Sequence, residues 1–410
     1  MVRRIQALNY RCLRHVDVRL DGNFHILVGP NASGKSTLLD VIGFFADLAP
    51  GGIESAVRKR VPDFRDLVWG RQGSGRFELA MELDGGRPSG ESAEDVIRYE
   101  LVARGDETGP YLDTVQGLVV TDCVSTPRPV PRFPAPLDPV PSILCTEQDA
   151  CARVLFRGVR RFSDYIDDVR SRLESIDEER STGGDVKDLH QKLDAAMAAL
   201  KFDMLGLKVR KLILDGRRLR EASPPAHAGA GLSPDGSNLP WIVRHLVEKQ
   251  ETRFQEWLDH VRIVLPELKD VRIVEREDDH RAYLMLSYGA GIEVPSWSVS
   301  EGTLRLLALT VLAYLPDTGQ IYLIEEPENG IHPLAIEAVY QSLSSVYGSH
   351  VFATTHSPTL LGCASPREVI CLATDPGGAT DVISGADHPR LGEWRRAADM
   401  DLLFAPDVLG

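Results

Sequence analysis

Gly29-Pro30-Asn31-Ala32-Ser33-Gly34-Lys35-Ser36 keeps the G-x-x-x-x-G-K-[ST] spacing that wraps a polyphosphate. Glycines let the backbone curl until its N–H groups converge on phosphate oxygens, and a helix starting there adds the positive end of its dipole. Lys35 brings a compact charge to the outer phosphates, and the Ser36 hydroxyl is a hard oxygen ligand for Mg²⁺. Gly29, Asn31, Ser33, Gly34, Lys35, Ser36 and Thr37 are therefore the candidate phosphate-binding residues. A cradle alone hydrolyses nothing. Ile321-Tyr322-Leu323-Ile324-Glu325-Glu326 is an apolar run ending in two acids, one able to hold the Mg²⁺ shell and the other to polarise water for in-line attack on a γ-phosphate. Val351-Phe352-Ala353-Thr354-Thr355-His356 ends a second apolar run in a histidine whose neutral ring can donate a hydrogen bond to that phosphate. Ser300-Glu301-Gly302-Thr303 opens a helix and is a second anion site. A single triphosphate does not need two such helix starts from one subunit. A two-fold dimer uses both, each ligand lying between the cradle of one copy and the Ser-x-Gly start of the other.

These groups need elements to hold them. Phe24-His25-Ile26-Leu27-Val28 reads as a buried strand feeding the cradle, and the helical period from Ser36 to Phe45 as the helix leaving it. Ile5 to Leu8 and Val16 to Leu20 read as two earlier strands, and the alternating runs of 75–120 as an antiparallel sheet. Residues 125–141 are dominated by proline and predict an extended connector. Phe162, Ile166, Val169, Leu173 and Ile176, then Val186, Leu189, Leu193, Ala196 and Leu200, recur at a 3.5-residue period about Gly183-Gly184. That pattern predicts an antiparallel helical hairpin, with two helices of an ordinary helical subdomain as the alternative. A loop over 223–240, a helix from Trp241 to about Leu265, short strands over 270–288 and a helix from Leu334 to about Tyr347 complete the expectation.

The chain has 410 residues and a formal net charge of −14. Nucleic-acid contact therefore requires a local basic patch. Arg153, Arg157, Arg160, Arg161, Lys208, Arg210, Lys211, Arg217, Arg218 and Arg220 cluster in the inserted region and could contact a DNA backbone, or simply line solvated helix faces. The six cysteines form no C-x-x-C pair, which fits reduced thiols in a cytoplasmic protein and disfavours structural zinc. No apolar stretch reaches the length of a membrane span; Leu304 to Leu315 is interrupted by Arg305.

Cradle, Ser-x-Gly helix start, acidic strand and terminal histidine, in this order, resemble the heads of ABC-type ATPases. The sequence is most similar to the soluble branch of RecF, the structural-maintenance-of-chromosomes (SMC) heads and the overcoming-lysogenisation-defect nucleases, and within it to AAA-type ATPases of bacterial anti-phage systems. Gly29 to Thr37, Asp235-Gly236-Ser237-Asn238-Leu239-Pro240, Ser300 to Leu309, Glu325-Glu326-Pro327-Glu328-Asn329-Gly330-Ile331-His332-Pro333 and Thr354 to Pro358 carry the resemblance. It implies an α/β fold of the ABC-ATPase P-loop type: a mixed core sheet, an antiparallel β-subdomain, and a helical insertion containing a short antiparallel hairpin. The expected divisions are an N-terminal lobe at 1–150, the insertion at 151–268, a C-terminal lobe at 269–365 and a docking tail at 366–410. The resemblance also assigns roles. Lys35 and Ser36 hold phosphate and Mg²⁺, Glu325 is the metal-side acid, Glu326 the catalytic base and His356 the switch histidine. Ser300 and Gly302 complete the site of a second copy, Gln148 is the glutamine that touches metal and water, and Arg11 contacts the nucleotide.

The insertion is too short for the long coiled coils of SMC proteins, and too few residues follow His356 for the Toprim nuclease domain of the overcoming-lysogenisation-defect proteins. The expected function is an ATPase that dimerises around ATP and controls a separate effector, such as a Toprim-type nuclease or a toxin, in phage defence. A RecF-like DNA-repair ATPase is the alternative, and a binding module without turnover or a transporter motor are weaker ones.

Overall fold

The computed structural model describes residues 1–70, 75–84, 96–106, 109–120, 133–134, 140–145, 152–158, 209–225, 231–316 and 319–389. Two six-stranded sheets dominate them. The first is antiparallel and joins β1 (Val2–Tyr10), β2 (Leu13–Arg19), β4 (Arg76–Asp84), β5 (Val96–Asp106), β6 (Gly109–Val120) and β7 (Ala152–Gly158) in the order β2-β1-β4-β5-β6-β7. The second joins β3 (Phe24–Val28), β8 (Val209–Leu212), β12 (Ile321–Glu325), β13 (His350–Thr354), β14 (Val369–Thr374) and β15 (Thr380–Ser384) in the order β15-β14-β3-β13-β12-β8. All neighbours in it are parallel except β14 and β15. A three-stranded sheet of β9 (Leu268–Glu275), β10 (Ala282–Tyr288) and β11 (Glu293–Pro295) stands apart.

Parallel strands covered on both faces must be apolar throughout, and β3 is buried at all five positions. Its alternation divides two cores. Leu27 joins helix α1 (Lys35–Arg58) and the inner face of the antiparallel sheet, while Phe24, Ile26 and Val28 face the remaining helices. Those helices are α2 (Gly216–Arg220), α3 (Leu239–Lys249), α4 (Glu251–Val264), α5 (Glu301–Thr310), α6 (Ile336–Ser344) and α7 (Pro358–Cys363).

Several expectations are corrected. The helix expected from Trp241 to Leu265 is two helices, because Gln250 leaves the helical region (φ −145°, ψ 52°) and lets Leu246 and Phe254 turn into one core. The helix expected from Leu334 begins at Ile336, after a tight turn at Pro333–Ala335, and ends at Ser344 with Tyr347 exposed. Ala152–Gly158, placed in the helical insertion, is a strand that extends the antiparallel sheet beside β6. The division at 365 falls inside the core sheet, since β14 lies directly against β3. The predicted hairpin, with Arg160, Arg161 and Lys208, lies outside the described residues, as do Gln148, nearly all of the proline-rich connector and the tail beyond residue 389.

A candidate nucleotide site at the edge of the core sheet

The order β3-β13-β12 places the ends of three parallel strands side by side at the carboxyl edge, where open α/β sheets bind ligands. The cradle leaves β3, the Thr354–His356 segment leaves β13 and Glu325-Glu326 leaves β12. Within the cradle Ala32 (φ 64°) and Gly34 (φ 97°) adopt left-handed backbone, the curl that turns successive N–H groups inward. α1 then starts with no side-chain cap and no acid in its first turn, so its terminal N–H groups are left for an anion. Two glycines are demanded by contact. A methyl at Gly29 would collide with the Leu372 carbonyl of β14, and one at Gly34 with Thr380 of β15. The Thr380 N–H donates to the Cys12 carbonyl (2.9 Å), and Cys12 Sγ lies 3.5 Å from Thr37 Oγ1.

Lys35 is buried, its Nζ donating to the carbonyls of Gly29 (2.7 Å) and Pro30 (2.8 Å). Burial lowers its pKa, and the Glu326 carboxylate pulls it back upward. Glu326 itself is left-handed (φ 47°), and its Oε2 accepts from the Asn329 amide at 2.5 Å. Its backbone N–H reaches the Thr354 carbonyl at 2.9 Å, across the β12–β13 register. Glu328 completes the junction, its Oε1 accepting from Thr355 Oγ1 (2.5 Å) and from the His356 N–H (3.2 Å). Glu325 forms an ion pair with Lys211 of β8 at 2.8 Å.

Ser36 is exposed at the helix start, and Arg11, left-handed at φ 50°, shares a cavity with it, 3.7 Å from Asp40. Ser300 caps α5, accepting from the Thr303 N–H at 3.2 Å, and is itself exposed. Gly302 packs on the Gly330 carbonyl of the turn after β12, where any side chain would collide. Lys35, Glu325, Glu326 and His356 thus converge on one sheet edge, whereas Ser300 and Gly302 meet it only through that turn. The sequence assigns no role to Glu328, Asn329, Cys12 or Thr380, nor a pairing role to Lys211. The Glu-Pro-Glu-Asn wording was the one signal that could have pointed to the first two. Of the described basic residues, Lys211 pairs with Glu325, Arg218 with Glu221, and Arg220 donates to the Val299 carbonyl. The segment Ser142–Cys145 joins no sheet ladder; the buried carboxylates of Glu78 and Glu100 hold it through the N–H groups of Ile143 and Cys145.

The donors near the cradle are a hydroxyl and carboxylates, hard oxygen ligands that fit Mg²⁺ shared with phosphate oxygens. Fold and edge cluster together define a P-loop ATPase head of the ABC/SMC type. Residues 152–362 match the family model described as "AAA domain, putative AbiEii toxin, Type IV TA system", just over half of the chain, and residues 1–85 match one described as "AAA ATPase domain". The chain belongs to the first of these families and is an ATPase of the AAA type. No curated protein matches the sequence. Among solved structures, the chain is similar to an SmcHead bound to the C-winged helix domain of ScpA, at 15% identity and a TM-score of 0.53, covering 93% of this chain and 97% of that one. It is also similar to an Smc head with an extended coiled coil from Pyrococcus furiosus (13% identity, TM-score 0.48, 93% and 95% covered) and to the SMC head of Thermotoga maritima (11%, 0.42, 93% and 98%). Among the described residues no helix is long and apolar enough to cross a membrane.

Proposed function

We propose that this chain is a cytoplasmic ATP hydrolase that dimerises around two Mg-ATP and uses the cycle to control a separate effector, a nuclease or toxin, in phage defence. The observation that carries the hydrolytic part is that the cradle with Lys35, the Glu326 turn and the His356 segment leave three adjacent strand ends, the last two joined by hydrogen bonds. Lys35 and the uncapped start of α1 bind the β- and γ-phosphates, with Gly29, Asn31, Ser33, Gly34 and Thr37 shaping the cradle and Arg11 at its flank. Ser36 and Glu325, with Gln148, would hold Mg²⁺, whose charge would offset that developing on the phosphates. Glu326, fixed by Asn329, takes the proton of the attacking water, and His356, fixed by Glu328, contacts the γ-phosphate. Ser300 and Gly302 present the start of α5 to the nucleotide of the second copy. The family's description as a putative toxin of a type IV toxin–antitoxin system supports the defence role. The head comprises the two lobes on either side of the insertion.

The test is Glu326→Gln. Phosphate release should fall by roughly 100-fold or more, the range general-base loss gives, while ATP stays bound and light scattering reports a trapped dimer. Turnover at the wild-type rate would show that another group is the base. Monomers at saturating nucleotide with full turnover would remove the dimer.

A further inference from the structure

β8 runs parallel to the acidic strand, with Lys211 opposite Leu323 and Leu212 opposite Ile324. Side chains alternate with period two, so Lys211, Leu323 and Glu325 share one face of the sheet. Lys211 Nζ sits 2.8 Å from Glu325 Oε1. The same face opens into a cavity of about 410 Å³ that Ser36 and Lys211 both line, together with Arg11, Asp40 and Arg60. The two arginines are held by Asp40, at 3.7 Å from Arg11 and 2.7 Å from Arg60. Lys211 instead reaches the carboxylate assigned to the metal. The sequence groups it with residues that could touch a DNA backbone; in the structure it pairs with Glu325.

We propose that Lys211 is a tethered competitor of Mg²⁺ for Glu325, so that metal loading requires the lysine to leave; this rests on the reading of Glu325 as the metal-side acid. A carboxylate that binds Mg²⁺ cannot also hold an ammonium at 2.8 Å without bringing two cations together. The pair is displaceable. The side chains are 53% and 37% exposed, which keeps the attraction weak, and a four-carbon stem lets the ammonium swing into the cavity. Lys211 therefore raises the Mg²⁺ concentration at which nucleotide is held, without touching the reacting atoms.

The test is a Mg²⁺ titration of a fluorescent, non-hydrolysable ATP analogue bound to the full chain. Lys211→Gln should lower the Mg²⁺ midpoint by roughly 1.5- to 5-fold, the range expected for an exposed pair, and Lys211→Arg should stay near wild type. An unchanged or raised midpoint in Lys211→Gln overturns the proposal. Glu325→Gln separates the two levels. If it shifts the midpoint strongly while Lys211→Gln does not, only the lysine's role falls; if it leaves the midpoint unchanged, Glu325 is not the metal acid and both fall.

Discussion

Glu328 shows how much one carboxylate can organise. It lies three residues after the end of β12, yet its oxygen holds both the Thr355 hydroxyl and the His356 N–H of the neighbouring strand end. Hydrogen bonds to a charged group contribute about 1.5–3 kcal/mol each. Glu328→Ala should therefore lower kcat by tens of fold while leaving nucleotide affinity near wild type, as measured by steady-state phosphate release beside equilibrium nucleotide binding. Equal losses in both would point to a collapsed cradle rather than a loosened histidine. Lys35, Ser36, Glu325 and Glu326 were legible because each motif is local: a fixed spacing, or an apolar run that stops at an acid. Glu328 and Lys211 were not, because their partners are set by the registers of β12 with β13 and with β8, which no single stretch of sequence encodes.

At the scale of elements, β1, β2, β3 and the cradle helix follow from periodicity, while β7 and the break at Gln250 do not. Both α3 and α4 carry apolar residues at helical spacing and no glycine or proline separates them, so only the shared core reveals two rods. The contact of α5 with the turn after β12 was equally hidden. Gly302 reads as part of an anion-binding helix start, yet within the chain its missing side chain is what lets α5 approach the Gly330 carbonyl. Gly302→Ala should cost about 1–3 kcal/mol, the usual penalty of overpacking, read as a lower denaturation midpoint in urea. Unchanged stability would mean that the turn yields freely.

For the molecule as a whole, two buried histidines set a pH limit. His25 of β3 and His350 of β13 lie with ring centroids 5.0 Å apart. Burial lowers the pKa of His25 to about 4, and burial, His25 and the chain's amino terminus push His350 down as well. The Val2 N–H donates to His350 Nδ1 at 3.2 Å, which requires that nitrogen to be unprotonated. Below the ordinary histidine value the unfolded chain binds protons that the folded one refuses, so stability is full above that value and falls as pH drops toward the folded pKa. Between pH 7.5 and 5, His25 alone should remove about 2 kcal/mol, and urea midpoints at the two pH values, with His25→Phe flattening the difference, check it. The cradle near the amino terminus is backed by β14 and touched by Thr380 of β15. A ribosome must therefore deliver the chain through β15 before the walls around the glycine-rich loop can close, and a nascent fragment carrying only that loop emerges without the means to grip its fuel.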